Sequence, residues 1–177
     1  MTYTFDDFTK DCRDSLREDT GADGREQIRQ SLEKLLHNDE FVSQYCSDSA
    51  KPGIETIYVD NDTGFNVLVH VYDSAKISPP HDHGTSWAVY GQAKYHTDMT
   101  VWDRIDNGEG NEIVELKERT AYRLEPGMAG CFEPGDIHTI NFPAGARFVR
   151  VTGTDLSAIP TTRYDMKTQT AIISEPG

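Results

Sequence analysis

Residues 78–84 read SPPHDHG, and residues 134–139 read PGDIHT. In the first segment one residue separates His81 from His83, so on an extended strand both imidazoles point to the same side. In the second segment His138 follows a Pro-Gly turn and lies near the start of another predicted strand. Each histidine taken alone is compatible with an ordinary hydrogen-bonded role. Together, the two segments predict three imidazoles that converge on one metal ion.

The chain around these segments has the pattern of a β-sheet protein. Short runs rich in Val, Ile, Tyr, Phe and Thr alternate with turns that contain Gly, Pro or Asn. We predict strands at residues 54–59, 65–72, 87–103, 112–116, 121–124, 129–132, 139–142 and 147–152. About eight short strands with such turns are typical of a sandwich or jelly roll, and cupins are one class of jelly roll.

The first fifty residues have a helical pattern. Apolar positions at helical spacing predict helices at residues 5–17 and 25–37, with a short third turn at 41–45. Thr4 is the predicted cap of the first helix, and Gly21 and Gly24 interrupt the pattern before the second. We predict one domain over residues 1–177: a helical extension at 1–50 packed on the barrel, a β-barrel with the metal site at 54–165, and a C-terminal tail or strand at 166–177.

Composition excludes several classes of function. The formal charge of −13, from 17 basic and 30 acidic residues, opposes binding to nucleic acid or to an anionic membrane surface through a general field. No run approaches the roughly 20 apolar residues of a membrane helix, and the acidic N-terminus lacks the features of a signal peptide. Three widely spaced cysteines favour free thiols. We therefore expect a cytoplasmic protein, for which a homodimer is compatible with the sequence.

With these segments the sequence resembles the cupin superfamily and, within it, the cysteine dioxygenase-like thiol dioxygenases. The resemblance covers roughly residues 66–165 and is strongest at PPHDHGT (79–85) and GDIH (135–138). It implies a cupin double-stranded β-helix, a jelly-roll barrel that is mainly β, with an N-terminal helical segment. It also implies a mononuclear Fe(II) held by His81, His83 and His138, with dioxygen and a small thiol at the open positions.

Some departures concern the surroundings of the metal. Typical cupins place a glutamate about five residues after the second histidine, but residues 84–89 contain no carboxylate, as in the thiol dioxygenases. The animal enzymes have a cysteine near the position of Ala88, crosslinked to a tyrosine that would fall near Thr152. Both partners are missing here, so no crosslink is predicted. Tyr95 stands where the resemblance places a glycine.

Other departures concern the substrate. The Ser-His-Tyr relay of many members would map onto Phe148, Arg150 and Thr152, and none of the three matches. The arginine that clamps the substrate carboxylate in cysteine dioxygenases falls near Thr56, which is also unmatched. The resemblance therefore carries over the metal site but not the substrate site.

The residues themselves suggest replacements. Arg150 lies on a strand of Phe, Val and Thr, where a charge is costly without a partner, and a guanidinium can donate two parallel hydrogen bonds to a carboxylate. Arg163 is the second candidate for binding substrate, and His70 is a third, on the barrel wall. The alternative for each arginine is a structural ion pair, and the alternative for His70 is a hydrogen-bonded position in the barrel wall. Asp82 faces away from the metal by alternation, which favours a structural role.

Several functions stay open at this point. Three neutral imidazoles leave a bound divalent metal dicationic, with positions for a bidentate substrate and dioxygen, as an oxygenase requires. The leading hypothesis is an Fe(II) dioxygenase that oxidises a small thiol, such as cysteine or a relative. Alternatives are an oxygenase of a β-dicarbonyl bound as its enolate, a cupin that binds metal or ligand without turnover, and an isomerase or lyase. Zinc, nickel or manganese could occupy the same ligands.

Overall fold

The computed structural model of the chain describes residues 2–106 and 113–177. Helices α1, α2 and α3 come first, at Phe5–Glu18, Ala22–Leu36 and Asp39–Tyr45. The strands are β1 Gly53–Val59, β2 Asn66–Val71, β3 Lys76–Ile77, β4 Ala88–Lys94, β5 Thr97–Arg104, β6 Leu116–Leu124, β7 Ala129–Phe132, β8 Ile137–Phe142, β9 Arg147–Thr152, β10 Thr161–Asp165 and β11 Thr170–Ser174. None of the helices in this part combines the length and the apolar composition needed to traverse a lipid bilayer.

Side-chain oxygens accept backbone hydrogen bonds at the starts of α1 and α2. Thr4 is confirmed as the cap of α1: its hydroxyl accepts from the backbone of Asp7, whose carboxylate accepts from the Thr4 backbone in return. Helix α2 begins at Ala22, earlier than predicted, because the Asp19 carboxylate accepts from the backbones of Gly21 and Gly24. A Cβ at Gly24 would lie 1.9 Å from the Asp19 carbonyl oxygen, so the interrupting glycine permits this tight start.

The strand pairing is that of a jelly roll. Strands β5 and β6 pair, and outside them β4 pairs with β7, β3 with β8, and β2 with β9, all antiparallel. These nested pairs alternate between a sheet of order β1-β2-β9-β4-β7 and one of order β3-β8-β5-β6. A long hairpin wound in this way is a jelly-roll barrel. The predicted fold class, a cupin-type double-stranded β-helix with helices at its N-terminus, is confirmed.

Two apolar layers flank the first sheet. Its outer face, with Val67, Val69 and Val149, packs against the helices. Gly91 allows this contact, since a Cβ there would lie 2.7 Å from Leu32 of α2. Its inner face meets the second sheet around a separate cluster that includes Tyr90, Met99, Phe132, Phe142 and Phe148. The side chains of β2 and β9 that point towards the second sheet therefore line the barrel interior.

Two strand predictions were wrong. Residues 87–103 form two strands, because the chain turns at Tyr95, which has a φ of 57°. This left-handed backbone suits the glycine that the resemblance places there, and β propensity gives no sign of it. Residues 113–115 are not in a strand, and β6 runs unbroken through the predicted gap before residue 121. Residue 112 and most of the predicted turn at 106–108 lie outside the described residues.

The turn between β1 and β2 is joined to α1 by a buried carboxylate. Asp60, 2% exposed, accepts hydrogen bonds from the backbones of Asp62 and Thr63 and from the side chains of Arg13, Tyr58 and Thr63. Burial raises the pKa of Asp60, but these donors outweigh it and hold the pKa well below its usual value. Ionised Asp60 therefore stabilises the folded protein above the unfolded pKa of about 3.9, and this stabilisation is lost as the pH falls below that value.

We predict that Asp60→Ala lowers the free energy of unfolding by about 2–4 kcal/mol, because it leaves buried donors without an acceptor. Urea unfolding at neutral pH measures the change. The matched control is Asp62→Ala, which breaks an exposed ion pair to Arg17 and should cost less than about 1 kcal/mol. Equal losses in the two variants would contradict this role of Asp60.

Candidate metal centre

Backbone pairing brings the two histidine segments together. His81 donates from its backbone N–H to the carbonyl of His138 at 3.0 Å, and His138 donates back to the carbonyl of His81 at 2.9 Å. His81 also bridges Arg163 on β10. The segment that carries His81 and His83 is thus held between β8 and β10, although it is not itself part of a named strand.

The three predicted imidazoles converge. Ring centroids are 4.5 Å apart for His81 and His138, 4.8 Å for His83 and His138, and 5.5 Å for His81 and His83. One nitrogen of each ring lies within 4.8 Å of the other two. A divalent ion bound at about 2.1 Å needs nitrogens no more than about 4.2 Å apart, so small ring rotations suffice. The cluster is able to hold a metal ion.

Hydrogen bonds orient two of the rings. His81 Nδ1 lies 3.0 Å from the Pro79 carbonyl oxygen, and His138 Nδ1 lies 3.4 Å from that of Asp136. Such contacts favour a proton on Nδ1 and leave Nε2 free as a ligand atom. The Nε2 atom of His138 is buried and has no hydrogen-bond partner in the described part of the chain. An unpaired buried nitrogen is costly in the protein alone, and a metal ion would use it.

Burial also keeps these rings neutral. It lowers the pKa of His83 and His138 well below the usual value of a histidine, with a further contribution from the other histidines and Arg150. The pKa of His81 is lowered by burial too, although the Pro79 carbonyl opposes the shift. A neutral imidazole has the lone pair that a metal ligand needs.

No carboxylate joins this cluster among the residues that the structure describes. Asp82, between the two ligand candidates, instead accepts from the backbones of Gly84 and Thr162 and from the Tyr164 hydroxyl. Asp82 therefore fastens the β10–β11 hairpin against the histidine segment, which is the structural role predicted for it.

A cavity of about 490 Å³ opens onto His81 and His83. His138 is fully buried and is not part of its lining. The predicted substrate residues His70, Arg150 and Arg163 all line the cavity. The wall has further polar side chains, among them Tyr72, Lys76, Ser78 and Tyr90, for which the sequence offered weaker signals. Inward alternation along β2 and β4 was the available signal for the two tyrosines.

His70 is a buried wall residue with one free nitrogen. Its Nδ1 lies 3.3 Å from the Tyr72 hydroxyl, and its ring stacks on Phe148 at 4.5 Å. Its Nε2 is buried without a partner in the described residues. Burial, then the nearby Arg150 and Lys76, hold the pKa of His70 well below its usual value.

Arg150 is a cation at the centre of the sheet. It lies on β9, opposite Leu68 of β2 and Tyr90 of β4. Its Nε is buried without a hydrogen-bond partner, and it forms no ion pair with any residue in the ranges 2–106 and 113–177. It also lines a second cavity of about 300 Å³ that includes Thr56. Arg163, by contrast, is exposed at the cavity rim.

No protein-family model and no curated protein matches the chain. Solved structures that resemble it include the cupin domain of Schizosaccharomyces pombe Cnp3, at 12% identity over 58% of this chain and 64% of that one, with a TM-score of 0.43. KdgF from Halomonas sp. has 14% identity over 58% of this chain and 81% of its own, with a TM-score of 0.41. The DMSP lyase DddQ from Ruegeria pomeroyi DSS-3 has 12% identity over 70% of this chain and 52% of its own, with a TM-score of 0.39. The chain thus spans about half of that lyase. Likenesses of this size carry no functional argument.

We predict that the metal-free protein loses stability on mild acidification. Four histidines have native pKa values below the unfolded value of about 6.5, so the unfolded chain binds more protons as the pH falls. The free energy of unfolding should fall by about 2–5 kcal/mol between about pH 7.5 and about pH 5.5, above the range in which most carboxylates titrate.

Urea unfolding across this range measures the slope. His70→Phe removes one of the four groups while keeping a ring on Phe148, so its slope should be shallower than that of the wild type. A stability that is flat between these pH values would show that the histidines are not held neutral.

Proposed function

We propose that the protein is a mononuclear non-haem Fe(II) dioxygenase that oxidises a small thiol, cysteine or a related compound. The observation that carries the proposal is the cluster of His81, His83 and His138 at a cavity whose wall holds Arg150. In the part of the chain that the structure describes, no carboxylate joins the cluster and no acidic residue pairs with this arginine. The thiol dioxygenase resemblance of residues 66–165 supports the choice of chemistry.

The three imidazoles would hold the metal as neutral ligands through their lone pairs. When bound, Fe(II) would supply a dicationic centre with open positions for a thiolate and dioxygen. The chain contributes binding and orientation around that centre. Asp82 and the paired backbones of His81 and His138 hold the histidine segment in place, and Phe142, Tyr90 and Ile140 limit the water in the cavity.

The position of Arg150 supports the proposal that the substrate carries an anionic group. Thr56, Leu68, Arg150 and Tyr90 form one rung across β1, β2, β9 and β4. The resemblance places its carboxylate-binding arginine near Thr56, and Arg150 lies two strands away on the rung that contains Thr56. Because Arg150 has no acidic partner in the described part of the chain, a bound carboxylate would supply the missing charge.

His70 and Arg163 would complete the substrate contacts. The free Nε2 of His70 can exchange a hydrogen bond with a bound amine or carboxylate, within the cavity that Arg150 also lines. Arg163 is exposed at the rim and held by the backbone bridge to His81. It would steer an anion towards the cavity, which an exposed guanidinium can do without a fixed contact.

Oxygen uptake by the Fe(II)-loaded protein tests the proposal. Loading under anaerobic conditions is followed by addition of cysteine, other small thiols or a β-dicarbonyl, and then of oxygen. Consumption with a thiol and formation of its sulfinate are expected. Oxygen uptake with the dicarbonyl alone would mean that the substrate is an enolate and not a thiol. Stoichiometric metal without uptake for any compound would contradict an oxygenase and favour a binding protein.

For the substrate contact, we predict that Arg150→Ala raises KM for a carboxylate-bearing thiol about tenfold to a hundredfold, because a charge-assisted hydrogen bond is lost. The iron content should not change. Steady-state oxygen uptake and iron analysis measure the two quantities.

Arg123→Ala is the control, because it breaks an exposed ion pair with Asp98 elsewhere on the barrel and should leave KM unchanged. An unchanged KM in Arg150→Ala would return this arginine to a structural role.

A further inference from the structure

Tyr90 contacts one of the two ring nitrogens of His83. The side chain is 2% exposed, and its hydroxyl lies 3.2 Å from Nε2 of His83. In the described part of the chain this is the one hydrogen bond of the phenol. Whichever of the two atoms carries the proton, the contact uses the Nε2 position of His83.

The ring of Tyr90 is held in place by its neighbours. It packs edge-on against Phe132 at 5.7 Å and against His138 at 5.8 Å, and it contacts Phe148 at 5.8 Å. Its strand, β4, is paired on both sides, with β7 and β9. A ring enclosed in this way cannot swing out of the cavity, so its hydroxyl stays beside the histidine cluster when the partner of His83 changes.

A single imidazole nitrogen cannot both bind a metal ion and share a hydrogen bond along the same direction. The contact between Tyr90 and His83 and a bond from Nε2 to a metal therefore exclude each other. Once the metal takes the nitrogen, the buried hydroxyl needs a new acceptor. Arg150 faces Tyr90 across the β4–β9 pair, so an anion drawn to Arg150 would lie close to the phenol.

We propose that Tyr90 is a hydrogen-bond gate on the metal site. In the metal-free protein it holds Nε2 of His83, and in the loaded protein it donates to the anionic ligand that completes the coordination of the metal. The inference rests on the proposed metal site and adds the ligand atom of His83 and a residue that couples metal binding to binding of the anion.

The proposed gate predicts opposite changes in two affinities, one for the metal and one for the anion. A side chain that serves only for packing would not produce this combination. Tyr90→Phe keeps the ring and removes the hydroxyl. The metal no longer competes with a hydrogen bond, so the metal-free variant should bind Co(II) about threefold to tenfold more tightly. The loaded variant lacks a donor to the anion, so it should bind azide about threefold to tenfold more weakly.

Calorimetric titration with Co(II) measures the first effect, and the Co(II) absorption bands during azide titration measure the second. Tyr72→Phe is the matched control: it removes a hydroxyl that lies 3.3 Å from Nδ1 of His70, in the same cavity but outside the cluster. Both constants should be unchanged in this variant. Thermal unfolding of each variant confirms that the fold is intact.

The outcomes separate the inference from the proposed function. If the wild type binds no Co(II), the metal site itself is wrong. If the wild type and Tyr90→Phe bind Co(II) and azide equally, the metal site stands and the gate is wrong. The gate is also wrong if Tyr90→Phe weakens Co(II) binding while the fold is intact.

Discussion

The site depends on the reciprocal backbone hydrogen bonds between His81 and His138. They join a segment that follows the short strand β3 to the strand β8, across the mouth of the barrel. Because each residue contributes both a donor and an acceptor, the two side chains are set side by side by the main chain. His83 is then placed two residues further along, on the same side of an extended segment. The cluster is thus a consequence of strand pairing.

This arrangement concentrates polar groups inside an apolar barrel. His70, His83 and His138 are buried, and two of their nitrogens have no partner in the described residues. Arg150 adds a cation that has no acidic neighbour in the ranges 2–106 and 113–177. Each of these features is unfavourable in the protein alone. The helices on the outer face of the first sheet supply a second apolar layer, which helps to offset that cost. Binding of the proposed metal and anion would stabilise these groups and with them the folded barrel.

The sequence was informative where a local rule was sufficient. The HxH spacing, the Pro-Gly turn before His138 and the Thr4 cap each depend on residues that are close in the chain, and the structure places each as expected. The turn at Tyr95 was missed because a left-handed tyrosine is rare and carries no local signal. The pairing of the β10–β11 hairpin with the site was missed for another reason. Asp82 reaches Thr162 and Tyr164 across eighty residues of chain, and no periodicity reports such a contact.

The most direct measurement is the iron content of the protein after anaerobic loading with Fe(II) and removal of free metal. We expect one iron per chain in the wild type, almost none in His138→Ala, and an undiminished content in His96→Ala, which changes a histidine outside the cluster. An iron content that is the same in His138→Ala as in the wild type would contradict the three-histidine centre.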